Sequence, residues 1–93
     1  YAEVMRVLFE PYCVRCHGPE KQKADLRFDS HEALMGGDHA TWLVVPGDPG
    51  ASELFSRVSL PHDDFDAMPP EEPYPDASDV EVLRAWIAGG APR

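Results

Sequence analysis

Ninety-three residues are enough for one small domain and leave no room for a second core. The hydrophobic content of 43% argues against disorder, yet ten prolines and seven glycines cut the chain into short pieces, and no run of about 18 apolar residues exists that could cross a membrane as a helix. A net charge of −9 disfavours nucleic acid and anionic membranes as partners and makes a basic protein surface the natural complement.

The chain opens Tyr1-Ala2-Glu3-Val4-Met5-Arg6, already helical in pattern and without the basic start of a signal peptide. The expectation is therefore an exported protein whose leader has been removed, or a domain cut from a longer chain. From Ala2 to Glu10 the apolar residues Val4, Met5, Val7, Leu8 and Phe9 follow helical spacing, with Glu3, Arg6 and Glu10 facing outward. Pro11 is expected to end or bend this helix. Gly18-Pro19-Glu20-Lys21-Gln22-Lys23 reads as an exposed turn, and Leu26 and Phe28 alternate over too few residues to define a strand. Asp29 with Glu32 resembles a capping box for a short helix that stops at Gly36-Gly37.

Further along, the apolar run Trp42-Leu43-Val44-Val45 ends in the turn cluster Pro46-Gly47-Asp48-Pro49-Gly50. Ala51 to Val58 reads as a helix with Leu54, Phe55 and Val58 on one face. Pro61 to Pro75 carries five prolines and should be irregular. A last helix is expected from Ser78, boxed by Glu81, with Leu83, Trp86 and Ile87 as its apolar face and Gly89-Gly90 as its stop. The fold class is all-α: helices at both ends, one or two short helices between, and long loops. Loops of that length in a small domain call for a functional reason.

That reason lies in Cys13-Val14-Arg15-Cys16-His17. Two thiols one helical turn apart can each add across a haem vinyl group, and the histidine that follows can place its imidazole beneath the iron. Five residues thereby supply covalent attachment and a proximal ligand together. Other readings of the pair are weaker. A disulfide at this spacing closes a loop too small to stabilise much. A structural zinc site needs four ligands, and His31, His39 and His62 show no paired spacing. A thioredoxin-like dithiol belongs to a βαβ context, whereas a helix precedes Cys13. Two ordinary cysteines beside a surface histidine complete the alternatives.

An electron carrier needs a second axial ligand, and Met5, Met35, Met68, His31, His39 and His62 are the candidates. Met68 stands in Asp66-Ala67-Met68-Pro69-Pro70, where two prolines stiffen the backbone and lower the entropy lost in presenting a sulfur. A gap-filling core methionine is the alternative for this position. His62, in the same stretch, is the second choice. Trp42, Tyr74, Arg57 and Arg27 are candidates to bind haem propionates, and each can equally be an ordinary core or surface residue.

With these residues in view, the chain resembles class I cytochromes c, and more narrowly the planctomycete-type cytochrome c domain. The matching segments are Cys13-Val14-Arg15-Cys16-His17-Gly18-Pro19, Leu26-Arg27-Phe28-Asp29, Val45-Pro46-Gly47-Asp48-Pro49, Ser52-Glu53-Leu54, Met68-Pro69-Pro70 and Leu83 to Ala91. The resemblance implies one covalent haem c on Cys13 and Cys16, with His17 proximal and Met68 distal. It implies a small cytochrome c fold whose N- and C-terminal helices cross, with Phe9 near Leu83 and Trp86 and loops wrapped around the haem. Many class I members carry a glycine where this chain has Met5, so the crossing should be wider or shifted.

The whole of residues 1–93 is then one cytochrome domain, or one module of a larger protein. Its expected function is one-electron transfer between protein partners in the periplasm or another exported setting, without enzymatic activity of its own. The partners expected are redox proteins with a basic docking surface. The alternative is a haem-based sensor or enzyme domain with an open or labile sixth position. Asp63, Asp64, Asp66, Glu71, Glu72, Asp76, Asp79 and Glu81 form a stretch of eight acids without a Lys or Arg, while four of the eight basic residues fall between Arg15 and Arg27. An acidic distal side facing basic partners follows from that asymmetry, with plain solubility as the competing use of the charge.

Overall fold

The computed structural model describes residues 1–13, 28–36, 42–69 and 73–93. In chain order the elements are α1 (Ala2–Val4), a π-helix (Met5–Cys13), α2 (His31–Met35), a 3₁₀ turn (Pro49–Ala51), α3 (Glu53–Val58) and α4 (Ala77–Ala88). Among the described residues there is no strand, so the all-α expectation holds. The short Leu26–Phe28 alternation falls partly outside them; Phe28 itself is buried.

The first helix departs most from expectation. It does not stop at Pro11 but runs through it to Cys13, as π-helix rather than α-helix. The physical reason lies in the ring geometry of proline. In an α-helix the ring meets the carbonyl four residues back. The longer i→i+5 pattern of a π-helix displaces that carbonyl, and Pro11 faces solvent. The wider turn also decides what is buried. An α-helix advances about 100° per residue, which would leave Cys13 about half a turn round from Val4. Val4, Leu8 and Cys13 are instead all buried, at steps of four and five residues. Glu3, Arg6 and Glu10 are exposed as expected.

α4 packs against this first helix. Leu83 and Ile87 are fully buried with Leu8 and Phe9, and the Trp86 ring meets Phe9 edge-on at 6.0 Å and Tyr1 at 5.7 Å. The expected contact of the terminal helices is thus present, with Met5 half-buried against the same core. α4 starts at Ala77, one residue before Ser78, because the true N-cap is Asp76. Asp76 is extended after Pro75, and its carboxylate accepts the Asp79 N–H at 2.9 Å while Asp79 Oδ2 accepts the Asp76 N–H. Ser78 lies inside the helix and donates its hydroxyl to Asp76, and Glu81 pairs with Arg84 instead.

At its other end α4 stops as expected. The Ala91 N–H donates to Trp86 O and the Gly90 N–H to Ile87 O, with Gly90 at φ +101° and Ala91 turned into the core. The cap of α2 is likewise shifted by one residue. Ser30 Oγ, not Asp29, accepts the Ala33 N–H at 3.1 Å, and the helix ends at Gly36.

Leu54 and Val58 bury the inner face of α3. The helix is preceded by a separate 3₁₀ turn, so the expected Ala51–Val58 helix begins only at Glu53. Ser52, at the junction, is fully buried: its Oγ accepts the Val45 N–H at 2.8 Å and donates to Asp48 O at 2.9 Å. The backbone N–H groups of Glu53 and Leu54 donate to the carbonyls of Trp42 and Leu43, which seats the Leu43-Val44 run in the core. The described part of Pro61 to Pro75 consists of turns and bends, as its prolines require.

Candidate haem site

Cys13 ends the π-helix and is 8% exposed, its side chain part of the apolar cluster built by Val4, Leu8, Phe9, Leu83 and Ile87. Two tyrosines flank its position. The Tyr12 hydroxyl donates to Asp79 Oδ2 at 3.2 Å, tying the residue before Cys13 to the first turn of α4. The Tyr1 hydroxyl donates to Phe28 O at 2.7 Å, and burial, with lesser contributions from the charges of Asp29 and Cys13, pushes this phenol above its ordinary range. Cys16 and His17 lie outside the described residues, as do Arg27 and His39.

Met68 reaches the same cluster from the other end of the chain. It is half-buried against the core, between buried Ala67 and buried Pro69, and its N–H donates to Arg57 O at 3.1 Å. The Cys13 thiol and the thioethers of Met5, Met35 and Met68 therefore border one apolar cluster. That donor set fits a haem held by thioether bonds and a sulfur ligand, which needs an apolar surround as much as it needs the ligands.

Of the other sixth-ligand candidates, the two described histidines have contacts of their own. His31 donates from Nε2 to Ala91 O at 2.9 Å and meets Tyr1 and Trp86 edge-on, so it pins α2 to the end of α4; its Nδ1 is buried with no hydrogen-bond partner among the described residues. His62 is exposed and stacks on Tyr74 with ring centres 3.9 Å apart. Met5 and Met35 pack against the same core as Met68, so burial does not separate the three thioethers. Of the propionate candidates, Arg57 pairs with Glu53 at 3.1 Å and reaches Asp66 at 4.0 Å, Tyr74 carries His62, and Trp42 is half exposed.

Sequence reasoning missed Tyr12, Ser52 and the His31–Ala91 link. Each depends on a partner far along the chain or on a single hydroxyl, and neither leaves a spacing pattern. No helix among the described residues is long and apolar enough to cross a membrane.

A small helical fold whose core takes in the first cysteine of the attachment motif is compatible with a c-type cytochrome. The chain belongs to the planctomycete cytochrome C family, whose family model matches residues 13–72, from the first cysteine of the attachment motif past Met68. Neither the curated proteins nor the solved structures compared with it contain a match. Membership makes this a haem-binding domain of an electron-carrier family.

Proposed function

We propose that the chain is a monohaem c-type cytochrome domain that passes one electron at a time between protein partners. Cys13 and Cys16 would carry the thioether bonds, and His17 and Met68 would be the axial ligands. The observation that carries this reading is the family match over residues 13–72, which spans the attachment motif and the Met68-Pro69-Pro70 segment. A bound haem supplies the one-electron iron chemistry. The rest is the work of the chain. The His17 imidazole follows Cys16 directly and would be held by that attachment. The Met68 thioether, a soft ligand, favours ferrous iron and a higher potential than a second histidine would give. Phe9, Leu83 and Ile87 keep water from the core. Backbone hydrogen bonds from Ala67 and Met68 hold the ligand loop so that little need rearrange when the charge on the site changes.

The electron donor and acceptor are proposed to be proteins with basic surfaces, met in the periplasm or another exported compartment. The domain would serve alone or as one module of a longer protein. An absorption spectrum tests the reading. Protein matured in a c-type system should keep one haem per chain after denaturation and give a six-coordinate, low-spin ferrous spectrum. A colourless folded chain would overturn the proposal, and a high-spin ferrous form that takes up carbon monoxide would favour a sensor or enzyme with an open sixth position.

A further inference from the structure

Phe65 is 99% exposed, in a chain whose other phenylalanines are buried or half-buried. It sits at the tip of the loop that leads to Met68, three residues before it. The loop does not place the ring outward by accident of a loose backbone. The Asp64 N–H donates to Pro61 O at 2.9 Å and the Ala67 N–H to Asp64 O at 3.1 Å, two consecutive turns that leave Phe65 at the apex. Asp64 Oδ1 also accepts the Asp66 N–H at 2.9 Å, and the Met68 N–H anchors the loop end on Arg57 O. The exposed residues Asp63, Asp64 and Asp66 flank Phe65 in the chain, and no Lys or Arg occurs between Arg57 and Arg84. Among the described residues only Asp66 of these three has a cationic neighbour, Arg57 at 4.0 Å.

A phenyl ring held in water forgoes a large apolar contribution that burial would give. Here it projects from a negatively charged stretch of chain. We infer that Phe65 is the apolar anchor of a docking surface for a redox protein that presents a hydrophobic recess edged by Lys and Arg. The charges choose this occupant over the others. Nucleic acid and anionic lipid are repelled by that stretch, and so is a second copy of this chain, which carries −9 overall. The two parts of the surface do separable jobs: carboxylates raise the encounter rate and are screened by salt, whereas burial of the ring slows dissociation and is not. The inference rests on the electron-transfer reading above, and it adds that the electron enters or leaves by the Met68 side.

The test uses the haem-loaded protein and a lysine-rich monohaem cytochrome as probe, with Kd from titration and the bimolecular transfer rate from stopped flow. Exchange with ferricyanide is the reference for the iron site. Phe65→Ala should weaken Kd, and lower the ratio of protein to ferricyanide rate constants, by about fivefold or more at low and at physiological ionic strength, with Phe65→Leu retaining most of both. Asp63→Asn/Asp64→Asn should reduce the same ratio at low salt only. The ring is exposed, so neither Phe65 change endangers folding. A Phe65→Ala protein that binds the probe within about twofold of the parent, with a normal haem spectrum, would overturn the docking site alone. A chain without haem absorbance would overturn the function proposed above and this inference with it.

Discussion

Cys13 and Met68 approach one apolar cluster from regions held in opposite ways. The Cys13 helix is fixed by packing: Val4, Leu8 and Phe9 are buried against Leu83 and Ile87 of α4, and the Tyr12–Asp79 hydrogen bond fastens its end. The Met68 loop buries little of itself. Residues 61–66 are all exposed, and its shape comes from backbone hydrogen bonds within the loop and to Arg57. A covalent attachment point gains from being as immobile as the core. A ligand that sets a potential can sit on a self-supporting loop, where its surroundings change without endangering the fold. If this contrast is right, substitutions in the two regions should separate stability from electronic properties.

The largest expected loss is on the helix side. Phe9 is fully buried, with ring contacts to Tyr1 at 5.8 Å, Phe28 at 5.2 Å and Trp86 at 6.0 Å. Phe9→Ala should cost about 3–5 kcal/mol, a large share of the about 5–15 kcal/mol that holds a domain together. Urea unfolding of the haem-loaded protein measures it, and a midpoint close to the parent's would deny the helix pair its structural role.

Met68→Leu should behave in the opposite way. The swap keeps apolar volume and should cost under about 1.5 kcal/mol of stability. Under the proposed ligation it should nevertheless abolish the ferric sulfur-to-iron charge-transfer band and lower the midpoint potential. An unchanged spectrum in Met68→Leu, together with an altered one in His62→Ala, would move the ligand to His62.

Ser52→Ala sharpens the comparison at the junction that carries α3, and with it Arg57, whose carbonyl holds Met68. The change strips the half-buried Val45 N–H of its acceptor and should cost about 1–3 kcal/mol. Thermal unfolding followed by circular dichroism would show it, and an unshifted midpoint would mean that the Val45 N–H finds another partner.

The smallest effect is expected at the solvent-exposed start of α4. The Ser78 hydroxyl, and after it the Asp79 backbone N–H, hold the Asp76 carboxyl below its ordinary range. A depressed folded-state value means that this contribution is present above the ordinary aspartate value of about 3.9 and is lost as pH falls through the folded one. The unfolding temperature should therefore fall more steeply below about pH 4 in the parent than in Asp76→Asn, which keeps an uncharged cap. Parallel acid limbs in the two proteins would assign the acid sensitivity elsewhere. Glu81, held low by its hydrogen bond to Arg84, is the next group to examine.

Much of this architecture could be read along the chain because it depends on near neighbours. Helical spacing places Leu54 with Val58 and Leu83 with Ile87, paired glycines stop α4, and prolines keep the described part of 61–75 irregular. The attachment motif and the Met-Pro-Pro setting are local too, and the family match covers both. Caps were legible only to within a residue or two. Asp76-x-x-Asp79 and Ser78-x-x-Glu81 overlap as patterns, and what separates them is that Asp76 is extended behind Pro75 while Ser78 is already helical.

The turn of the first helix could not be read in this way. Its apolar residues satisfy an α-helical pattern up to Phe9, and Pro11 is an ordinary stop signal. The helix nevertheless widens and continues, because contact with Leu83, Ile87 and Trp86 rewards whichever winding buries Val4, Leu8, Phe9 and Cys13 together. Likewise His31 was one histidine among several until Ala91, sixty positions away, supplied its acceptor. Amino-acid order determines which elements can form and which side chains carry the chemistry, since both follow from neighbours within a turn or two. The winding that turns Cys13 inward, and the packing of Met68 against the cluster that Cys13 joins, are decided by burial summed over distant segments, a quantity no single stretch of the chain contains.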